Sequence, residues 1–175
     1  MIVSGSEAWA ADFALLHQTL SRMNSDLIPK CVLIHGPNEK TLLAPAVKLS
    51  YTLGYGEPII VPEHVKNCCD NNHKLELIKT ALNALNSGPR CVIFPAAETA
   101  LFRISAEGRA LSPMVSEFSQ TIERLNQRKE NHLIILTSSC PWTLDSKLIN
   151  FGKIENSIFI SGDEHFFVLE TYLEQ

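Results

Sequence analysis

Five short runs, Cys31–His35, Pro58–Val61, Cys91–Phe94, His132–Thr137 and Ser157–Ile160, are apolar at consecutive positions instead of alternating with polar residues. A strand with that pattern has no face to give to water, so it suits a parallel sheet covered on both sides. Helix-period stretches separate the runs: Thr41–Thr52, then Leu75, Ile78, Leu82 and Leu85, then Met114, Phe118, Ile122 and Leu125. Strands alternating with helices predict an α/β fold, a three-layer sandwich around a five-stranded, mainly parallel sheet with right-handed crossovers. Leu33, Ile93 and Ile135 are expected to be buried on its adjacent central strands. Upstream, Trp9, Phe13, Leu16, Leu20 and Met23 recur at spacings of four and three, which predicts a further helix over residues 6–23. Gly54-Tyr55-Gly56, Ser87-Gly88-Pro89 and Cys140-Pro141 punctuate these elements as turns.

The 175 residues make one domain, 1–175, with no internal repeat. The 45% hydrophobic content contains no long unbroken apolar run, so membrane insertion is not expected. Met1-Ile-Val-Ser-Gly-Ser-Glu7 has no basic segment ahead of an apolar core, which predicts a cytoplasmic or nuclear protein. Five cysteines at 31, 68, 69, 91 and 140 are odd in number and scattered, as expected of reduced, structural thiols. With a net charge of −4 and no basic run longer than Gln127-Arg128-Lys129, nucleic acid is not an expected ligand.

The first apolar run leads into Gly36-Pro37-Asn38-Glu39-Lys40-Thr41 and then into a helical pattern, the order of a phosphate-binding loop. An intact loop reads G-x-x-x-x-G-K-[ST], its backbone N–H groups wrapping the phosphates and its lysine reaching the outer oxygens. Here Gly36 and Lys40 lie two residues too close, and Glu39 stands where a glycine should precede the lysine. Glu39 removes backbone freedom and sets a carboxylate beside any polyanion, a repulsion of order ~3 kcal/mol per charge pair at ~5 Å and an effective dielectric near 20. Pro45 has no N–H to give, so the helix that should aim its N-terminus at phosphate is expected to start late.

Further motifs follow in family order. In P-loop ATPases the strand matching Cys91-Val-Ile-Phe94 ends in an acidic pair that holds Mg²⁺ and polarises water; here Pro95-Ala96 stands there. Leu133-Ile-Ile-Leu-Thr-Ser-Ser-Cys-Pro-Trp-Thr-Leu-Asp145 resembles the "ATN-x-PW-x-LD" segment of AAA+ ATPases, and Asn72-His-Lys-Leu75 stands where that family has a "SEKL" helix start. From about Lys30 onward the chain resembles a degenerate AAA+ domain of the branch containing katanin, spastin, fidgetin and the vacuolar-sorting ATPase.

The resemblance implies a large-subdomain-like AAA+ core and places the nucleotide-binding positions at Gly36, Lys40 and Thr41. Pro95 replaces the Mg²⁺-directing aspartate, Ala96 the catalytic glutamate, and Ser139 the polar sensor asparagine. Arginine fingers are expected after Leu148, where Ile149-Asn-Phe-Gly-Lys153 stands instead; Lys153 lacks their planar fork. The pore-loop aromatic would fall near Cys68, where there is none, and ending at Gln175 implies no helical lid. The expectation is a catalytically inactive AAA+-like domain, with no cofactor, acting as a protein-interaction or regulatory subunit. Its implied partners are an active AAA+ relative, a larger complex or a second copy of the chain.

Two rival readings stand beside this one. Gly36, Lys40 and Thr41 could grip a phosphate without cleaving it, making a weak nucleotide-binding regulator. His64, Cys68, Cys69 and His73 form an H-x3-C-C-x3-H cluster of possible zinc ligands, but adjacent cysteines do not ligate one ion comfortably. Glu98 reads as an ordinary loop carboxylate, having no neighbouring histidine or ligand set. Ser138-Ser139 lacks the G-x-S-x-G elbow of a serine hydrolase.

Overall fold

The computed structural model describes residues 31–61, 70–102, 112–128, 131–150 and 156–160. The helix expected over residues 6–23 lies outside them. Five strands, β1 (Cys31–His35), β2 (Ile59–Ile60), β3 (Arg90–Phe94), β4 (His132–Ser138) and β5 (Asn156–Phe159), form one sheet in the order β2-β3-β4-β1-β5. Every pairing is parallel, with Leu33 beside Leu136 and Ile93 beside Ile135. β2 is shorter than its apolar run because it is an edge strand paired only with β3, and Pro58 has no N–H for the ladder. Val61 still donates to the Ile93 carbonyl at 2.9 Å.

The consecutive apolar residues of each strand divide between two layers. Val32, Ile34, Cys91, Ile93, Leu133 and Ile135 pack on α1 (Leu43–Thr52) through Leu42, Ala46 and Leu49. Leu33, Val92, Phe94, Ile134 and Leu136 pack on α2 (Asn71–Asn83) and α3 (Pro113–Arg128). Leu33, Ile93 and Ile135 are buried as expected, on adjacent strands, although Leu33 faces the opposite layer from the other two. On α3, Met114, Phe118, Ile122 and Leu125 are all buried, and Phe118 meets Phe94 edge-on at 5.8 Å. Each such side chain contributes roughly 1.5–3 kcal/mol of burial.

Local chemistry sets the helix starts. Asp70 accepts from Asn72 N–H at 2.9 Å and opens α2; Ser112 Oγ accepts from Val115 N–H at 3.1 Å and opens α3, with Pro113 at its first position. α1 begins at Leu43, two residues after the expected Thr41: its first i→i−4 bond comes from Ala46 to Leu42, immediately past Pro45. Lying in the first turn, Pro45 delays the helix without kinking it. Leu85 is buried as its spacing predicts, but on a short 3₁₀ turn, Ala84–Ser87, that continues α2. A last short helix, α4 (Ser146–Asn150), leads toward β5. No helix among the described residues is long and apolar enough to cross a membrane.

Candidate functional site

In a parallel α/β sheet, ligands lie in crevices beyond the carboxyl ends of the strands. β4 lies between β1 and β3, so the segments leaving these three strands converge on one edge. They carry every nucleotide-site position expected from the sequence, Gly36, Lys40, Thr41, Pro95, Ala96 and Ser139.

The segment after β1 is fixed at its root. Gly36 N–H donates to the Ser138 carbonyl at 3.3 Å, and Ile160 N–H donates to the His35 carbonyl at 2.8 Å. This draws the end of β5 so close that a Cβ on Gly36 would overlap the Ile160 carbonyl oxygen. Gly36 therefore serves the approach of neighbouring backbone, a role open to glycine alone. Beyond it the chain turns around Asn38. The Asn38 side-chain oxygen accepts from Lys40 N–H at 3.1 Å, while its carbonyl accepts from Thr41 N–H at 3.1 Å and Thr41 Oγ1 at 2.8 Å. Leu42 N–H donates to the Glu39 carbonyl at 3.1 Å. The result is a 3₁₀ turn over Glu39–Thr41 capped by Asn38. Three consecutive N–H groups and the threonine hydroxyl are thus directed into the turn itself; the Lys40 side chain is exposed.

The segment after β3 is tied sideways instead. Pro95 is half-buried and Ala96 buried, and Ala96 holds the left-handed conformation, φ 50° and ψ 54°. Its N–H donates to Thr137 Oγ1 on β4 at 3.2 Å, a buried bond. A 3₁₀ turn follows over Ala97–Thr99, and Lys74, itself only 7% exposed, reaches from α2 to donate to the Thr99 carbonyl at 3.1 Å. Glu98 Oε1 lies 3.5 Å from Ser139 Oγ, at the limit of a hydrogen bond, and Glu98 Oε2 is a buried atom with no partner. Ser139 Oγ also lies 3.8 Å from Cys140 Sγ.

The structure thus brings Gly36, Ala96, Glu98 and Ser139 to one edge through their shared contacts with residues 137–139 of β4 and the turn after it. Of the proposed zinc ligands, His73 is exposed on α2, and His64, Cys68 and Cys69 lie outside the described residues. No group of three or more His, Cys, Asp or Glu side chains suited to a metal occurs among the described residues. Lys153 and the pore-loop position near Cys68 also lie outside them. Two features were missed from sequence: the capping role of Asn38, signalled by its position three residues before Thr41, and the contact of Glu98 with Ser139, which joins residues 41 positions apart.

No family model matches the chain, and no curated protein matches it. Among solved structures, the crystal structure of the FIGL-1 AAA domain aligns with a TM-score of 0.61 at 15% identity, over 90% of this chain and 52% of that one. The chain thus spans about half the length of that neighbour. At this identity the likeness shows the fold: an α/β sandwich of the AAA-domain kind, built around a P-loop NTPase-like sheet.

Proposed function

We propose that this domain has given up phosphoryl transfer and works by binding other proteins, as a pseudo-ATPase subunit. One observation carries the reading: the loop after β1 closes on itself, with the N–H groups of Lys40 and Thr41 donating to Asn38 oxygens and that of Leu42 to the Glu39 carbonyl. A phosphate cradle needs such groups turned outward, together with a carboxylate for the metal and a base or polarising residue for the nucleophile. Pro95 and Ala96 carry neither carboxylate. The fold, by contrast, retains a full core on both sheet faces. A maintained scaffold without its chemistry is what selection for a surface leaves behind. The partner class that the fold suggests is an active AAA+ relative, a larger complex or a second copy.

Phosphate release from MgATP tests the loss of chemistry. The purified chain should release none above a buffer control, and neither should Lys40→Ala. ATP-dependent release that disappears in Lys40→Ala would return the protein to the enzymes.

A further inference from the structure

The outer side of α1 carries a feature that the degenerate nucleotide site does not explain. Its inner side buries Pro45, Ala46, Leu49 and Ser50 against the sheet. Outward, a ridge of i, i+4, i+8 spacing, Leu43, Val47 and Tyr51, the last 54% exposed, runs beside exposed Ala44 and Lys48, and the exposed Lys40 precedes them on the 3₁₀ turn. Between them lies an open groove of about 590 Å³ lined by these six residues, almost wholly apolar in its walls. The small Ala44 makes a notch between the two lysines. Among the described residues, no acidic side chain lines the groove and no ion pair reaches either lysine.

We infer that this groove is a docking site for an amphipathic helix of a partner protein, one with an apolar ridge and acidic residues along one flank. The inference rests on the interaction-module reading and names the chemistry of its partner. Ridges of i±4 spacing accept the corresponding ridge of a second helix, and recognition through a helix laid in an apolar groove is a general mode. The apolar ridge fills the space between Ala44 and Val47. The acidic flank lies over the row of Lys40 and Lys48, where opposite charge fixes register and excludes basic competitors. An anionic membrane would also attract two lysines, but a lipid surface is met by protruding apolar side chains. Here Leu43 and Val47 are half-buried against the core beneath, and Tyr51 alone of the apolar ridge is exposed.

The test is fluorescence anisotropy with the full chain and two synthetic helices, identical in a Leu ridge at i, i+4 and i+8 but carrying either Glu or Lys along one flank. The Glu helix should bind and the Lys helix should not. Truncating the aromatic wall by Tyr51→Ala should weaken binding about tenfold or more, as loss of an aromatic anchor does. Lys48→Glu should reverse the preference between the two helices. Both substituted side chains are exposed, so melting temperatures should match the wild type and separate lost docking from lost fold. Equal binding of both helices, binding indifferent to Tyr51→Ala, or no binding of either would overturn the proposal while leaving the phosphate-release result untouched. So would binding to phosphatidylserine vesicles but to neither peptide, which would assign the groove to lipid.

Discussion

The loops that leave β1 and β3 flank the same strand, yet they are held in opposite ways. After β1, Asn38 supplies the acceptors and the loop closes on itself. After β3, Ala96 reaches across to Thr137 and Glu98 toward Ser139, so that turn is held by its neighbour. Their backbones invert the usual residue preferences as well. Gly36 is glycine because the Ile160 carbonyl leaves no room for a Cβ, while Ala96 occupies the left-handed region that glycine would hold at lower cost. Two loops at one end of a sheet are thus fixed by different means, one by local capping and the other by cross-strand anchoring.

The largest effect should come from removing what the loops share. Ile135→Ala, on β4 between both, should cost roughly 2–5 kcal/mol in urea unfolding. A near-neutral result would break the premise that one packed strand supports both loops. Next in size is the response to alkali. Burial pushes the Cys91 thiol, at the far end of β3, up to about 12 from 9.0, with a hydrogen bond to Ser50 opposing the shift. The folded state then keeps a proton that the unfolded chain loses, so this stability is fully present below pH 9 and is lost as pH rises toward 12. By pH 10.5 the loss should be about 2 kcal/mol. Burial, and then the Cys91 charge, likewise raises Tyr55 above 10.0, adding loss of the same sign at higher pH. Cys91→Ala should flatten the alkaline limb of a pH–stability curve; an unchanged slope would exclude Cys91 as its source.

Smaller effects sharpen the contrast between the loops. Gly36→Ala should destabilise by about 1–3 kcal/mol, the usual cost of overpacking. Ala96→Gly should stabilise by up to about 1 kcal/mol, because the relief of left-handed strain exceeds the entropy that glycine loses. Equal signs in thermal denaturation would erase the distinction between the two positions. Asn38→Ala should cost about 1 kcal/mol, as loss of a cap does, and should speed amide exchange at Lys40 and Thr41 while leaving Ala96 protected. Protection unchanged at all three would show that Asn38 does not close the loop.

The layers of this fold were legible because burial on both faces writes itself as runs of consecutive apolar residues. β1, β3 and β4 and the buried stripe of α3 came directly from that pattern. The late start of α1 was legible too, since Pro45 has no N–H to offer. The ends of β2 and β5 were not, because edge strands stop where pairing stops and apolar residues such as Ile160 continue past the ladder. At the candidate site, sequence marked Pro95, Ala96, Glu39 and the short Gly36–Lys40 spacing as departures from an intact motif. It could not show where the N–H groups of residues 40–42 point, or that Glu98 meets Ser139, because both depend on backbone geometry and long-range packing. The groove on α1 was hidden for a similar reason: Thr41–Thr52 reads only as a helix, and which of its sides the sheet covers depends on packing.

The central claim is that the loop closed by Asn38 holds no nucleotide. Thermal melting of the intact chain with and without millimolar MgATP tests it most directly, since a ligand at a hundredfold its Kd adds about 2.7 kcal/mol to the native state. An unchanged melting temperature, for both wild type and Lys40→Ala, is the predicted result. A clear rise in the wild type that Lys40→Ala abolishes would contradict the account and make the domain a nucleotide-binding regulator.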